Sequence, residues 1–168
     1  MSKYAFRIIT LIGFLIVILG TILPAWQLDV KMGDIKPEIK TSIFGSFDTS
    51  KFSGNFSDFD DSMLPSIRSV AITLLATSGI SLILLMAGTA FKEEHRKPIN
   101  GVVVLLSVVT IAATIALFVL NIIFVKQNNI EQANGFTLKP ILKNGIYLLI
   151  MGGFANGLFS IYAVMYQK

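Results

Sequence analysis

The sequence is poor in the residues that cross-link or catalyse. None of its 168 residues is a cysteine, and it contains a single histidine and a single tryptophan. The absence of cysteine excludes disulfide bonds, thiolate metal sites and cysteine nucleophiles. Charged residues make up only 14% of the chain, whereas a soluble domain usually has about a quarter. This shortage of charge argues against an ordinary soluble domain and indicates a membrane protein.

Hydrophobic residues make up 54% of the chain and are concentrated in four long blocks without a charged residue. A helix that crosses a bilayer needs about 20 mostly apolar residues. Because backbone polar groups in hydrocarbon must be bonded internally, each block is expected to be a helix. The sequence therefore predicts an all-α membrane protein, a single four-span domain over residues 1–168. Its spans are expected at about 8–24, 70–90, 102–125 and 145–164.

The distribution of charge predicts the orientation of the spans. The two termini and the short loop at about 91–101 together carry six basic and two acidic residues in very little chain. The longer loops, at about 25–69 and 126–144, carry eight of each. Dense positive charge marks the cytoplasmic side, so both termini are predicted to be cytoplasmic, with the plasma membrane as the expected location. The alternative for the first block, a cleaved signal peptide, lacks a small-x-small cleavage site.

The first external loop contains patterns typical of β-strands. The segment Gln27–Met32 alternates apolar and polar residues, which predicts a half-buried strand. Gly33 and Asp34 then predict a turn. The isoleucines that follow are spaced four apart, which fits a strand or a helix, and Pro37 and the β-branched Thr41 favour a strand that ends near Gly45. We therefore expect a small extracellular antiparallel β-sheet in this loop, beside a four-helix bundle.

The remainder of this loop combines phenylalanines with polar residues. Packing of the phenylalanines onto the sheet and the helix ends is one interpretation, and an exposed patch that docks a partner or enters the lipid interface is the other. Asn55 begins a glycosylation sequon on the predicted outer face. The phenylalanines concerned are Phe47, Phe52, Phe56 and Phe59.

Small and amide side chains within the blocks predict close helix packing. Gly153 and Gly157 form a small-xxx-small pair, which lets another helix approach closely. That helix can belong to the same bundle, or to a second protein or a second copy of this chain. Asn121 and Asn156 are the main polar residues within the spans, and each is expected to form a hydrogen bond to a neighbouring helix or to backbone.

No combination of residues predicts catalysis or metal binding. The four apolar blocks contain no Asp, Glu, Lys, Arg or His, and the lone His95 lies in the basic cytoplasmic loop, where a solvated or headgroup-facing position is expected. The acidic run near Asp60 lacks the ligand spacing of a known calcium loop. We predict that the protein is not an enzyme and has no catalytic residue, cofactor or metal.

The order of features resembles the claudin and peripheral-myelin-protein superfamily of tetraspan proteins. Trp26, in ILPAWQLDV, is similar to the family's proline and tryptophan before the first external strand. Phe44 and Gly45 lie where the family has its Gly-Leu-Trp-x-x-Cys motif, and Arg68 matches a basic residue near the start of the second span. The last block, NGIYLLIMGGFANGLF, resembles the family's tyrosine- and glycine-rich fourth helix. The family's two loop cysteines are missing, so a shared fold would hold its sheet by packing alone.

The resemblance implies a left-handed four-helix bundle with a small extracellular sheet, and it suggests two functions. The first is a structural role in membrane organisation or cell adhesion, through the external loop and lateral self-association. The alternative is an accessory subunit that stabilises or regulates a membrane enzyme, channel or transporter. A membrane enzyme or transporter acting alone is disfavoured because no span has an Asp, Glu, Lys, Arg or His residue. The expected partners are the lipid bilayer and either a homo-oligomer or a larger membrane protein, with no nucleic acid.

Overall fold

The fold consists of four long apolar helices and a small antiparallel sheet. A computed structural model describes residues 3–31, 37–47, 59–88, 93–132 and 136–166. Each of the four helices is long and apolar enough to cross a membrane. The helices are α1 (Lys3–Ile22), α2 (Leu64–Ala87), α3 (Glu93–Gln127) and α4 (Asn144–Met165).

Three helices, α1, α2 and α3, begin five or more residues before their apolar blocks, which start at about 8, 70 and 102. α2 starts at Leu64, where Pro65 suits the first helical turn and the Leu64 N–H donates to the Asp61 carbonyl at 2.9 Å. α3 starts at Glu93 and includes most of the predicted cytoplasmic loop. Arg96, in its first turn, donates to the carbonyl of Gly88 at the end of α2, at 3.2 Å. With 35 residues, α3 is about 50 Å long and exceeds the thickness of a hydrocarbon core.

The sheet has four strands and is built from both loops on its side of the bundle. Its strand order is β2-β1-β4-β3, and every pairing is antiparallel. The sequence predicted the first pair, although β2 ends before Gly45 because the Gly45 N–H donates to the Ser42 carbonyl and closes a turn. The prediction that placed the sheet in the first loop alone was incomplete. The strands are β1 (Pro24–Lys31), β2 (Glu38–Ser42), β3 (Ile130–Glu131) and β4 (Thr137–Leu142).

β4 contains a proline, which the sheet accommodates because the neighbouring strand β3 is very short. A proline lacks the N–H that a strand needs on a paired edge, and Pro140 lies within β4. β3 pairs only with Thr137 and Leu138, so Pro140 faces no partner on that side. On the other side it lies opposite Leu28 of β1. The proline is therefore tolerated in a strand that has neighbours on both sides.

Glycines determine how closely the helices approach. α4 packs against α1 on one side and against α3 on the other. A Cβ placed on Gly152 of α4 would lie 2.7 Å from the Gly13 carbonyl oxygen and 2.8 Å from the Val17 nitrogen, both of α1. A Cβ on Gly20 would likewise meet the backbone of Gly145. The backbones of α1 and α4 are therefore in direct contact, as in small-residue helix pairs.

The outward faces of the helices are apolar. Ile8, Ile83, Leu105 and Met151, one from each helix, are between 56% and 65% exposed. Many other Ile, Leu, Val and Phe side chains of the helices are also exposed. Soluble monomers rarely expose continuous apolar surface on this scale, so these faces need an apolar environment or a partner.

Candidate functional site

The sheet is fixed to the helix bundle by the only tryptophan of the chain. Trp26 of β1 is completely buried, and its indole Nε1–H donates to Oδ1 of Asn121 on α3 at 2.7 Å. The Asn121 amide in turn donates to the Leu117 carbonyl at 2.8 Å. Both polar groups of Asn121 are thereby satisfied without water. The bond to the Leu117 carbonyl is one to backbone, as the sequence allowed, whereas the bond that joins Asn121 to the sheet was not predicted.

Aromatic rings surround this hydrogen bond. The Trp26 ring centroid lies 5.9 Å from that of Phe47 and 5.7 Å from that of Phe124 on α3. Phe59 meets Phe47 and Phe124 edge-on, at 5.5 and 6.1 Å. These distances are typical of favourable aromatic pairs. Phe47 and Phe59 thus pack onto the sheet and the helix end, while Phe52 and Phe56 lie outside the described residues.

A second amide ties the chain just before α2 to the end of α3. Asn128 is completely buried, and its Oδ1 accepts from the backbone N–H of Asp60 at 2.8 Å. Its Nδ2 donates to the Asp60 carbonyl at 2.9 Å. The Asp60 carboxylate is exposed and accepts from Ser62, and these hydrogen bonds lower the pKa of Asp60. Asn128 was not singled out from the sequence because it lies just beyond the third apolar block.

The third tie is a basic side chain near the start of α2. Arg68 is half-buried, and its Nη2 donates to the Gly45 carbonyl at 2.6 Å. Beside this bond Ile43 is completely buried among the core residues, whereas Phe44 is 42% exposed. The two signature residues Arg68 and Gly45 are therefore in contact, but the aromatic Phe44 is not the residue that fills the core. Trp26, Asn121, Asn128 and Arg68, with their partners, are called the junction below.

A cleft opens at the edge of the junction. Its volume is about 440 Å³, and it is bounded by the chain around Phe47 and Phe59 and by the first turns of α2. Arg68 and Asp61 give it one basic and one acidic side chain, and Ser46 and Ser62 add hydroxyl groups. The cleft therefore combines aromatic walls with both signs of charge.

The glycine pair of α4 contacts helices of the same chain. A Cβ on Gly153 would collide with the Thr114 side chain of α3, and one on Gly157 would lie 2.6 Å from Ile111 and 3.1 Å from the Ser107 carbonyl. Gly153 and Gly157 therefore contact helices of their own bundle, which is one of the alternatives that the sequence left open.

Buried hydroxyl and amide groups line the interior of the bundle. The Asn156 amide donates to the Thr10 carbonyl of α1 at 3.2 Å, while no described residue bonds its Oδ1 or the buried Ser160 hydroxyl. Between α2 and α3, the Thr110 hydroxyl is 2.9 Å from that of Thr77. The completely buried polar side chains of this seam are Thr10, Ser78, Ser81, Ser107, Thr110, Thr114, Asn156 and Ser160.

Two of the remaining predictions concern modification and metal binding. Asn55, the sequon asparagine, lies outside the described residues. Within the described ranges, no three His, Cys, Asp or Glu side chains form a group that could hold a metal ion. His95 is exposed, in the first turn of α3. The absence of a catalytic site stays a prediction.

Comparison of the sequence with protein-family models and with curated proteins yields no match to either. The resemblance to claudin-like tetraspans therefore depends on the sequence features alone. Of these, Trp26, Gly45 and Arg68 lie together at the junction. The sequence signal that could have revealed the second half of the sheet is the alternation of TLKPIL, in which Leu138 is completely buried and Lys139 is exposed.

Proposed function

We propose that this chain is an integral membrane protein that crosses a bilayer four times, with the sheet outside and both termini in the cytoplasm. The support comes from the apolar outward faces of all four helices and from the basic residues near the termini and the α2–α3 connection. The plasma membrane is the location that we propose.

Exposed tyrosines on α4 support this placement in the bilayer. Tyr147 is 51% exposed near the sheet end of α4, and Tyr166 is 59% exposed just after its other end. Tyrosines are enriched at both membrane–water interfaces. At about 1.5 Å per residue the two lie about 28 Å apart along the helix, close to the thickness of a hydrocarbon core. Phe6 stacks on Tyr166, with ring centroids 5.3 Å apart, at the proposed cytoplasmic boundary.

We further propose that the protein has a structural role in membrane organisation or adhesion, as the external sheet joins copies of the chain. The observation that carries this proposal is the position of β2 as the outermost described strand of a sheet that Trp26 attaches to the helices. β2 pairs with β1 on one side, and no described strand pairs with its other side. An open edge of this kind is a template for another strand.

The charges on β2 favour a second copy as the partner. Glu38 and Lys40 flank Ile39, and their side chains form an exposed ion pair at 3.4 Å. If two β2 strands pair antiparallel about Ile39, each Glu38 lies opposite the Lys40 of the other copy. Each such opposite-charge cross-strand pair contributes roughly 0.2–1 kcal/mol. The edge is therefore self-complementary, as a two-fold symmetric interface requires.

The absence of native cysteine permits a direct test in the full-length protein in its own membrane. The variant Ile39→Cys should form a disulfide-linked dimer on mild oxidation, because directly opposed residues of antiparallel strands have Cα atoms about 4.5–5.5 Å apart. The matched control Glu131→Cys, on the far edge of the sheet, should stay monomeric. In the Ile39→Cys background, Glu38→Lys should weaken dimer formation, and adding Lys40→Glu should restore it.

Two results would contradict the structural proposal. A monomeric Ile39→Cys protein, purified gently and found with a stoichiometric enzyme, channel or transporter, would favour the accessory-subunit alternative. A dimer insensitive to the charge reversals would show that copies meet elsewhere than along β2.

A further inference from the structure

The cleft at the junction has the chemistry of a binding site for a group with two opposite charges. We propose that it binds the zwitterionic headgroup of a phospholipid, with the phosphate at Arg68 and the ammonium group at Asp61. Its volume of about 440 Å³ lies within the usual range for small-molecule sites. This inference rests on the proposed membrane insertion, which places the cleft at the outer surface of the bilayer.

Arg68 has hydrogen-bond donors to spare for a phosphate. Its guanidinium has five N–H donors, and the bond from Nη2 to the Gly45 carbonyl is the only one it forms with a described residue. Its Nε is buried and has no partner, and no carboxylate of the described residues forms an ion pair with it. Because the buried Nε cannot be reached from the cleft, the Nη hydrogens that are not bonded to Gly45 are the donors left for a ligand. Phosphate oxygens suit a guanidinium because they accept two parallel hydrogen bonds.

The remaining walls suit a cation attached to that phosphate. The Asp61 side chain is exposed and lines the cleft together with the rings of Phe47 and Phe59. Carboxylates and aromatic faces both attract quaternary and primary ammonium groups. An anionic headgroup without an ammonium group would satisfy Arg68 but leave Asp61 facing negative charge. The paired charges therefore favour phosphatidylcholine or phosphatidylethanolamine over phosphatidylglycerol.

The position of the cleft favours a lipid over a free solute. Arg68 and Pro65 belong to the first two turns of α2, at the sheet end of the bundle. The cleft thus lies where α2 would emerge from the hydrocarbon into the headgroup layer. The positive end of the α2 dipole at the same place favours a phosphate further. A lipid bound here would have its chains along the apolar outer face of α2, where Ile72 is 56% exposed.

The test uses the full-length protein in detergent and native mass spectrometry with phosphatidylcholine and phosphatidylglycerol of identical chains. The wild-type protein should retain phosphatidylcholine about tenfold better, as expected for one additional charge-assisted contact. Asp61→Asn should abolish this preference, and Arg68→Gln should weaken the retention of both lipids. The controls Glu131→Gln and Lys139→Gln remove the same charges from the sheet, away from the cleft, and should behave like wild type.

Arg68→Gln also removes the bond to Gly45 and can destabilise the junction, so Asp61→Asn is the decisive variant. Soluble glycerophosphocholine should compete with phosphatidylcholine but bind more weakly. Equal affinity for this chain-free compound would identify a free solute as the occupant and overturn the lipid assignment. A wild-type protein without a preference, or one whose preference survives Asp61→Asn, would overturn the proposal.

Membrane insertion is tested separately, by extraction of native membranes with alkaline carbonate. Protein that resists extraction but shows no lipid preference would overturn the headgroup site and leave the proposed insertion intact. Protein that is extracted would overturn the insertion itself, and with it the placement of the cleft in the headgroup layer.

Discussion

The junction and the interior of the bundle are held together in opposite ways. At the junction, large aromatic rings pack around a few directional hydrogen bonds, such as that from Trp26 to Asn121. In the bundle, the close approach of α1 and α4 depends on residues with no side chain, such as Gly13 and Gly152. The junction therefore depends on aromatic and polar side chains, whereas the bundle depends on the lack of a side chain at its glycines.

This difference explains how a sheet without a disulfide is fixed to the helices. Hydrogen bonds between residues far apart in sequence connect the sheet and its loop to α3 in place of a covalent link. Asn121 lies 95 residues from Trp26, and Asn128 lies 68 residues from Asp60. Buried polar bonds of this kind are costly to break from one side only. The bundle needs fewer such bonds because close backbone contact gives extensive dispersion attraction.

The bundle should be the less tolerant region when a side chain is added. Gly152→Ala would place a Cβ against the backbone of α1, which cannot move aside like a flexible side chain. Overpacking typically costs about 1–3 kcal/mol, and contact with backbone is expected at the upper end. Thermal unfolding of the purified protein should show a large decrease in Tm, or no folded protein at all.

The control for this variant is Gly101→Ala on α3. A Cβ at Gly101 would meet no atom within 4 Å, and alanine favours a helix by up to about 1 kcal/mol relative to glycine. This variant should keep or raise the Tm. If Gly152→Ala were as stable as Gly101→Ala, the contact between α1 and α4 would be looser than described.

The junction should be the less tolerant region when a polar group is removed. Asn121→Leu leaves the buried Trp26 indole N–H without an acceptor, which costs about 1–3 kcal/mol. Removing both partners should cost less than the sum of the two single changes. Unfolding of Asn121→Leu, Trp26→Phe and the double variant would give the coupling energy, expected at about 1 kcal/mol or more.

Trp26 also reports on the junction directly, because it is the only tryptophan in the chain. Asn121→Leu should change its emission spectrum, whereas the same measurement on Gly101→Ala should match the wild type. Additive energies in the double variant, together with an unchanged emission spectrum of the single variant Asn121→Leu, would show that the bond to Asn121 does not hold the sheet.

Patterns local in the sequence predicted the fold better than they predicted the site. The four helices follow from apolar blocks, and β1 follows from alternation between Gln27 and Lys31. β3 and β4 were not predicted, and their local signals are weak because β3 has only two residues and β4 contains Pro140. The early start of α3 was missed because a charged segment gives no apolar signal.

The junction required information that local patterns do not contain. Asn121 was recognised as a buried amide, but its partner Trp26 belongs to another element and could not be chosen from spacing. Ile43 and Phe44 are adjacent and both apolar, and only the turn after β2 decides that Ile43 points into the core. Trp26, Gly45 and Arg68 were singled out by the resemblance, which marked these positions as important but did not predict which residues they contact.

The hydroxyl seam of the bundle should show the smallest effect. The Thr110 hydroxyl lies 2.9 Å from that of Thr77 and 2.8 Å from the Leu106 carbonyl, so its single proton chooses between two acceptors. Thr110→Val removes the hydroxyl and both of these bonds, while the Thr77 hydroxyl still donates to the Thr73 carbonyl at 2.8 Å. Polar bonds between membrane helices average about 0.6 kcal/mol, so the Tm should decrease only slightly.

The matched control is Thr73→Val, because the Thr73 hydroxyl is exposed and bonds only the Ser69 carbonyl of its own helix. It should leave the Tm unchanged. A loss for Thr110→Val as large as that for Asn121→Leu would remove the contrast between the two regions, since the bundle would then also depend on directional bonds. A small loss would show that close packing carries the bundle and that the polar anchors matter chiefly at the junction.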